Sequence, residues 1–206
     1  IWQLLQRYTR SGDVVLDPMC GGGTTLDVCH DLDREGVGFD LGPTRPDIAA
    51  ADARHLPMPD ASADFVFVDP PYSTHIRYTE QPECIGTLDA SGEDGGEVYY
   101  ESMTQVISEI DRVLRNRRYM ALYVSDSWRK RKGAKGGGNG TFMPIGFELF
   151  AILTRFFRPV DIIAVARGNR KLGRGNWHKS AEEGNYFLRG FNYLFIMKKQ
   201  IEDVRR

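Results

Sequence analysis

The chain is predicted to fold as an α/β protein with a mostly parallel sheet covered by helices on both faces. Short apolar, β-branched runs alternate with stretches whose apolar residues recur at helical spacing. That is the pattern of doubly buried strands joined by crossover helices. In addition, three of the early runs end in aspartate, at Asp17, Asp40 and Asp69. Ligands of such sheets bind outside the carboxyl ends of the strands.

Residues 1–8 carry apolar residues at helical spacing, and Ser11, Gly12 and Asp13 break the pattern. Residues 14–16 are a short β-branched strand ending in Asp17, and residues 24–31 resume the helical spacing. A second strand covers 37–39 and ends in Asp40, and a third, very apolar strand covers 65–68 and ends in Asp69. Over 99–114, Met103, Val106, Ile107, Ile110, Val113 and Leu114 fall on one stripe, which predicts an amphipathic helix. A strand at 119–124, a helix at 147–157 and two late strands at 159–166 and 193–197 complete the pattern.

With 206 residues, the chain fits one domain spanning 1–206, with room for a substantial core. The segments 73–96, 127–145 and 167–190 are polar, glycine-containing or basic, and they read as loop insertions for substrate recognition. A formal net charge of -1 excludes binding nucleic acid through global basicity and leaves only local patches. The cysteines Cys20, Cys29 and Cys84 form no CxxC pair, and His55, His75 and His178 show no ligand spacing, so neither a disulfide framework nor a metal is expected. The cysteine usage predicts a reducing, cytoplasmic setting, and no apolar run has membrane-spanning length. The first helix begins at Ile1 in mid-pattern and without a methionine, which predicts native sequence before it.

Two segments carry chemistry. The first, Asp17-Pro18-Met19-Cys20-Gly21-Gly22-Gly23-Thr24-Thr25, leaves a strand and opens a helix. Its glycines allow a tight turn and close approach to a ligand. It lacks the GxGxxG of dinucleotide sites and the lysine of a P-loop. Asp40, followed by Leu41, is placed where a carboxylate can accept both hydroxyls of a ribose. Asp52, next to Ala53, is placed to accept from an adenine amino group. Together these acids describe a nucleoside-shaped ligand, with Cys20 packed near it.

The second segment is Asp69-Pro70-Pro71-Tyr72. Two prolines fix two φ angles, and Pro70 keeps Asp69 out of the helical region. The result is a stiff loop rich in acceptors and followed by an aromatic ring. A base amino group is a poor nucleophile because its lone pair is delocalised into the ring. Accepting both of its hydrogens, at an Asp69 oxygen and the Pro70 carbonyl, favours a pyramidal nitrogen with a free lone pair, while Tyr72 can stack on the base. Such catalysis rests on positioning and electrostatics.

The loop DPMCGGGTT, Gly38-Phe39-Asp40, Ala51-Asp52-Ala53 and DPPY together resemble the amino-methyltransferase branch of the class I methyltransferases, which modify adenine N6, cytosine N4 and some RNA guanines. The resemblance covers most of the chain. It implies a Rossmann-like three-layer sandwich with a seven-stranded sheet whose last two strands form an antiparallel hairpin. It implies S-adenosyl-L-methionine as cofactor and a DNA base as acceptor, with the aspartate of DPPY favouring adenine N6 over cytosine N4. Met19 stands where the family usually has phenylalanine. Enzymes with this motif order place further cofactor contacts just before the glycine loop, at or before Ile1.

A base inside a duplex reaches such a pocket only by flipping out. The residues expected to hold the nucleic acid are Arg77 and Tyr78 after DPPY, and Trp128, Arg129 and Lys130 in a basic run. Arg170, Arg174, Trp177, His178, Lys179 and Tyr186 join them from the cation- and aromatic-rich segment before the last strand. Three medium loops are left to do that work, or a missing segment, a homodimer or a separate specificity partner does it. An RNA base is the alternative acceptor, favoured less because no added RNA-binding domain is visible. A binding subunit without activity is a third reading, against which Asp17, Asp40 and DPPY stand intact.

Overall fold

A computed structural model describes residues 1–72, 81, 83–91, 94–130, 140–168 and 175–200. In chain order the elements are α1 (Trp2–Tyr8), β1 (Val14–Asp17), α2 (Thr24–Asp31), β2 (Glu35–Asp40), β3 (Ile48–Ala50) and β4 (Ala63–Val68). A 3-10 turn (Ile85–Thr87) precedes α3 (Glu97–Val113), β5 (Leu114–Val124), β6 (Ser127–Lys130) and β7 (Gly140–Met143). The chain closes with α4 (Ile145–Leu153), β8 (Arg158–Ala166), α5 (Gly175–Glu183) and β9 (Phe191–Lys198).

Seven strands form one sheet in the order β3-β2-β1-β4-β5-β9-β8. The first five are parallel, and β9 runs antiparallel to both β5 and β8. The expected seven-stranded sheet with an antiparallel terminal hairpin is therefore present. From β1 the chain winds outward through β2 and β3, then returns to start β4 on the other side of β1. That reversal makes the gap between the carboxyl ends of β1 and β4 the topological switch point, where ligands of open sheets bind.

β4 shows why the apolar run at 65–68 reads so clearly, because all six of its residues are buried. Phe65 and Phe67 pack with Leu5 of α1 and Cys29 of α2 on one face. Val66 and Val68 pack with Met103, Ile107 and Ile110 of α3 and Leu149 and Leu153 of α4 on the other. Alternate residues of a strand point to opposite faces, so two helical layers close over one strand. Each such side chain contributes about 1.5–3 kcal/mol on full burial, and α3 buries seven residues along its stripe. The polar exception in β4 is Asp64, 3% exposed, which accepts from the Val14 amide (3.0 Å) and pairs with Arg115 and with Arg118 (2.9 Å). This network ties β1, β4 and β5 together at the end of the sheet away from the loops.

The structure departs from the expectations at several elements. β3 was not anticipated, since three residues are too short to show a period. α4 starts two residues earlier than expected, directly after Pro144, and ends at Leu153. The 127–145 segment, expected to be loop, contains the antiparallel ribbon β6–β7, in which Trp128 faces Phe142 with ring centroids 5.4 Å apart. The 167–190 segment, also expected to be loop, contains α5, on which Lys179 and Glu183 form an i,i+4 pair at 3.8 Å. Its glycines and mixed charges hid the helical signal. β8 is an edge strand with exposed Val160, Ile162 and Ile163.

Candidate active site

β1 ends in Asp17, and the chain turns through the glycine loop into α2. Asp17 is 4% exposed and accepts from the Thr25 hydroxyl (2.5 Å) and the Met19 amide (3.2 Å), so it holds the loop from beneath. Burial pushes its pKa up to about 6; the two hydrogen bonds work against that, and the charges of Asp69 and Asp40 add to it. Pro18 and Met19 lead to Cys20, whose amide donates to the Phe39 carbonyl (2.8 Å) and fastens the loop to the end of β2. Burial pushes the Cys20 thiol up to about 12, so it stays protonated and packs against Gly38. Gly23 caps α2 at φ +83, a conformation in which any Cβ is strained. Thr24 opens the helix on its exposed side while Thr25 turns inward.

Asp40 at the end of β2 accepts from the amides of Gly21 and Gly42, both at 2.9 Å, and its half-buried carboxylate lines a cavity. Leu41, Ala53 and Asp52 line the same cavity. Asp52 also meets Arg54 side-on, with contacts of 2.6–3.0 Å. Burial raises the Asp52 pKa, but the Arg54 guanidinium and amide more than offset this and hold it below the ordinary carboxylate value. A base amino group would therefore meet an acceptor that already has one strong partner.

DPPY follows β4 at the switch point. Asp69 is exposed on the cavity wall, and the Tyr72 hydroxyl donates to its Oδ1 (2.5 Å). Confinement among protein atoms raises the Asp69 pKa, and the Tyr72 bond opposes the rise. Pro70 is buried, and the Pro71 carbonyl accepts from the Tyr99 hydroxyl (2.9 Å). In this arrangement the half-buried Tyr72 turns its hydroxyl to Asp69, a contact that the expected stacking role did not include.

Two cavities meet here. The first, of ≈ 410 Å³, is bounded by the glycine loop, Asp40, Asp52, Asp69 and Pro71. The second, of ≈ 1160 Å³, lies on the other side of the loop, between α1, Tyr72, Tyr123 and the β8 residues Ile163 and Val165. Met19, Gly21, Gly22 and Asp69 line both.

The expected substrate residues are brought together only in part. Trp128 clusters with Phe142 and with Tyr186, whose ring lies 5.5 Å away, and Arg189 stands 4.0 Å over Phe142. His178 and Lys179 are exposed on α5. Arg77, Tyr78, Arg170 and Arg174 lie outside the described residues, as do the side chains of Arg129, Lys130 and Trp177. Sequence reasoning missed Arg45, which donates to the Gly22 carbonyl (3.2 Å) and pairs with Asp27 (2.8 Å) and Asp47 (2.7 Å). It also missed Tyr99, Tyr123, Cys84 and Ile85. None of these sits in a motif; only their partners mark them. Among the described residues no cluster of metal-ligating side chains occurs, and no helix is long and apolar enough to cross a membrane.

A sheet of this order, with a glycine loop after β1 and acids at the ends of β1 and β2, is the fold of the S-adenosylmethionine-dependent methyltransferases. One such enzyme, from Methanosarcina mazei, superposes with a TM-score of 0.60 at 13% identity over 98% of this chain and 99% of its own. A Thermus thermophilus protein described as a DNA modification methylase, solved with S-adenosyl-L-methionine, superposes at 0.52 with 16% identity over 76% of this chain and 56% of its own. The [4+2]-cyclase SpnF superposes at 0.58 with 17% identity over 97% of this chain and 80% of its own, so the fold also serves other reactions. Residues 1–51 match the model of the N6/N4 methyltransferase family, described as DNA methylase. That match takes in the glycine loop and Asp40, ends before DPPY, and bears out the family resemblance. No curated protein matches the chain.

Proposed function

We propose that the chain binds S-adenosyl-L-methionine in the first cavity and methylates an exocyclic amino nitrogen of a DNA base, adenine N6 ahead of cytosine N4, presented from the second cavity. One observation carries this reading: two adjoining cavities share Asp69, together with Met19, Gly21 and Gly22 of the glycine loop. A donor and an acceptor held on either side of one carboxylate meet at that carboxylate.

The residues of the first cavity suit the cofactor. Asp40 faces where the ribose hydroxyls would donate to a carboxylate, with the glycine loop opposite it. Asp17, Asp40 and Asp69 are close enough for their charges to raise the Asp17 pKa, and the negative potential of such a group suits a cationic sulfonium. The cofactor, when bound, supplies the activated methyl group. Asp69 and the Pro70 carbonyl accept the two amino hydrogens of the base, and Tyr72 and Tyr123 line the second cavity with Asp69. The working setting is a reducing cytoplasm, and the Trp128 cluster with His178 and Lys179 forms part of the surface that meets the nucleic acid.

The test is transfer of a labelled methyl group to unmethylated DNA and, in parallel, to total RNA, followed by digestion to nucleosides. Label in N6-methyladenine or N4-methylcytosine is expected. Label in RNA alone sinks the DNA reading, and cofactor binding without transfer to either points to a binding subunit. Asp69→Ala is expected to abolish transfer while leaving cofactor binding largely intact; an active Asp69→Ala protein removes the role given to Asp69.

A further inference from the structure

The two proline carbonyls of DPPY stand in different surroundings. The Pro71 carbonyl accepts from the Tyr99 hydroxyl at 2.9 Å, across 28 residues of sequence. Pro70, buried beside it, has no hydrogen bond to its carbonyl among the described residues. Tyr99 belongs to the main core cluster. Its side chain is fully buried in the core beneath the sheet and meets Tyr100 edge-on at 5.1 Å. It sits in the first turn of α3, whose cap Gly96 approaches Ala90 so closely that an added Cβ would lie 2.4 Å from the Ala90 carbonyl oxygen. At the other end of the tetrapeptide, the Tyr72 hydroxyl donates to Asp69.

We infer that Tyr99 is a positioning residue for the methyl-transfer reaction. By engaging the Pro71 carbonyl, it anchors the tetrapeptide to the core and fixes Asp69 where the two cavities meet, while the Pro70 carbonyl is left without a hydrogen bond among the described residues. Without that hydroxyl, the peptide between Pro71 and Tyr72 is free to turn, and the position of Asp69 is no longer set. Positioning at this level acts on the rate of the chemical step and not on how tightly the cofactor is held. The inference rests on the proposed amino-methyltransferase activity.

Tyr99→Phe keeps the ring in the core and removes only the donor. It is expected to lower kcat about tenfold, the rate equivalent of one neutral hydrogen bond, with the KM for the cofactor changed less than about threefold by the same reasoning. Tyr100→Phe, which removes a neighbouring hydroxyl that makes no hydrogen bond to the tetrapeptide, is expected to leave kcat unchanged. The carbonyl-carbon NMR resonance of Pro71 should shift in Tyr99→Phe and that of Pro70 much less. An unchanged kcat in a folded Tyr99→Phe protein overturns the inference, and so does an equal loss in Tyr100→Phe. Should Tyr99→Phe fail to fold, 3-fluorotyrosine at position 99 keeps the hydroxyl but makes it a stronger donor, and an unmoved Pro71 resonance is then the refuting result. If the unaltered chain transfers no methyl group to any nucleic acid, the functional reading falls by itself, and the Pro71 resonance alone decides whether Tyr99 anchors the loop.

Discussion

Replacing Asp17 by asparagine removes a charge that the fold holds against its own electrostatics. The Asp17 carboxyl is 4% exposed, and burial together with the Asp69 and Asp40 charges lifts its pKa from 3.8 to about 6. A rise of that size corresponds to about 3 kcal/mol of preference for the neutral form in the folded state. Its favourable contribution is complete below about pH 4 and is lost as the pH rises through about 6, so at pH 7 the ionised group opposes folding. Asparagine keeps the shape. Its oxygen can accept from the Met19 amide, and its amino group can donate to the Thr25 hydroxyl, which rotates to accept. Asp17→Asn is therefore expected to gain up to about 3 kcal/mol at pH 7, or about 6–12 °C in Tm at this chain length, and to lose that gain by pH 4. Urea and thermal unfolding of both proteins without cofactor, from pH 4 to pH 8, give the comparison. Equal stability at pH 7, or a gain that persists at pH 4, refutes the argument.

Two further outcomes are expected. Asp64→Ala should lose about 2–4 kcal/mol at pH 7 by urea unfolding, since the Val14 amide and two guanidiniums lose their shared acceptor. Burial raises the Asp64 pKa, but Arg115, the Val14 amide and Arg118 outweigh it and hold the value below the ordinary range. The stabilisation is therefore present above about pH 4 and fades as the pH falls through the lowered value, so a deficit that stays constant into acid contradicts the assignment. Arg45→Ala should weaken cofactor binding by calorimetry while leaving Tm nearly unchanged, because its ion pairs are exposed but its contact with the Gly22 carbonyl orients the loop. Unaltered cofactor affinity would count against that role.

Much of the site was legible because its parts are local. A glycine loop between a strand and a helix, acids at strand ends and a Pro-Pro pair each declare their conformation within a few residues. The fully buried β4 and the stripe of α3 were legible for a related reason, since burial on two faces, or on one side of a helix, leaves a period in the chain. The elements that escaped detection lack such a local mark. β3 is too short to show a period. The β6–β7 ribbon becomes visible only when Trp128 is placed opposite Phe142, across a low-complexity stretch.

By itself, then, the amino-acid sequence determined the α/β class, the position of the glycine loop and the place of Asp69-Pro70-Pro71-Tyr72 directly after a buried strand. The tertiary structure alone decided that Asp69 stands between two cavities, that Arg45 reaches back to Gly22, and that Tyr99 engages Pro71 across 28 residues. The physical reason is that periodicity and backbone restriction act between neighbours along the chain. Hydrogen-bond partners and cavity walls instead depend on which distant residues the sheet order brings to the same end.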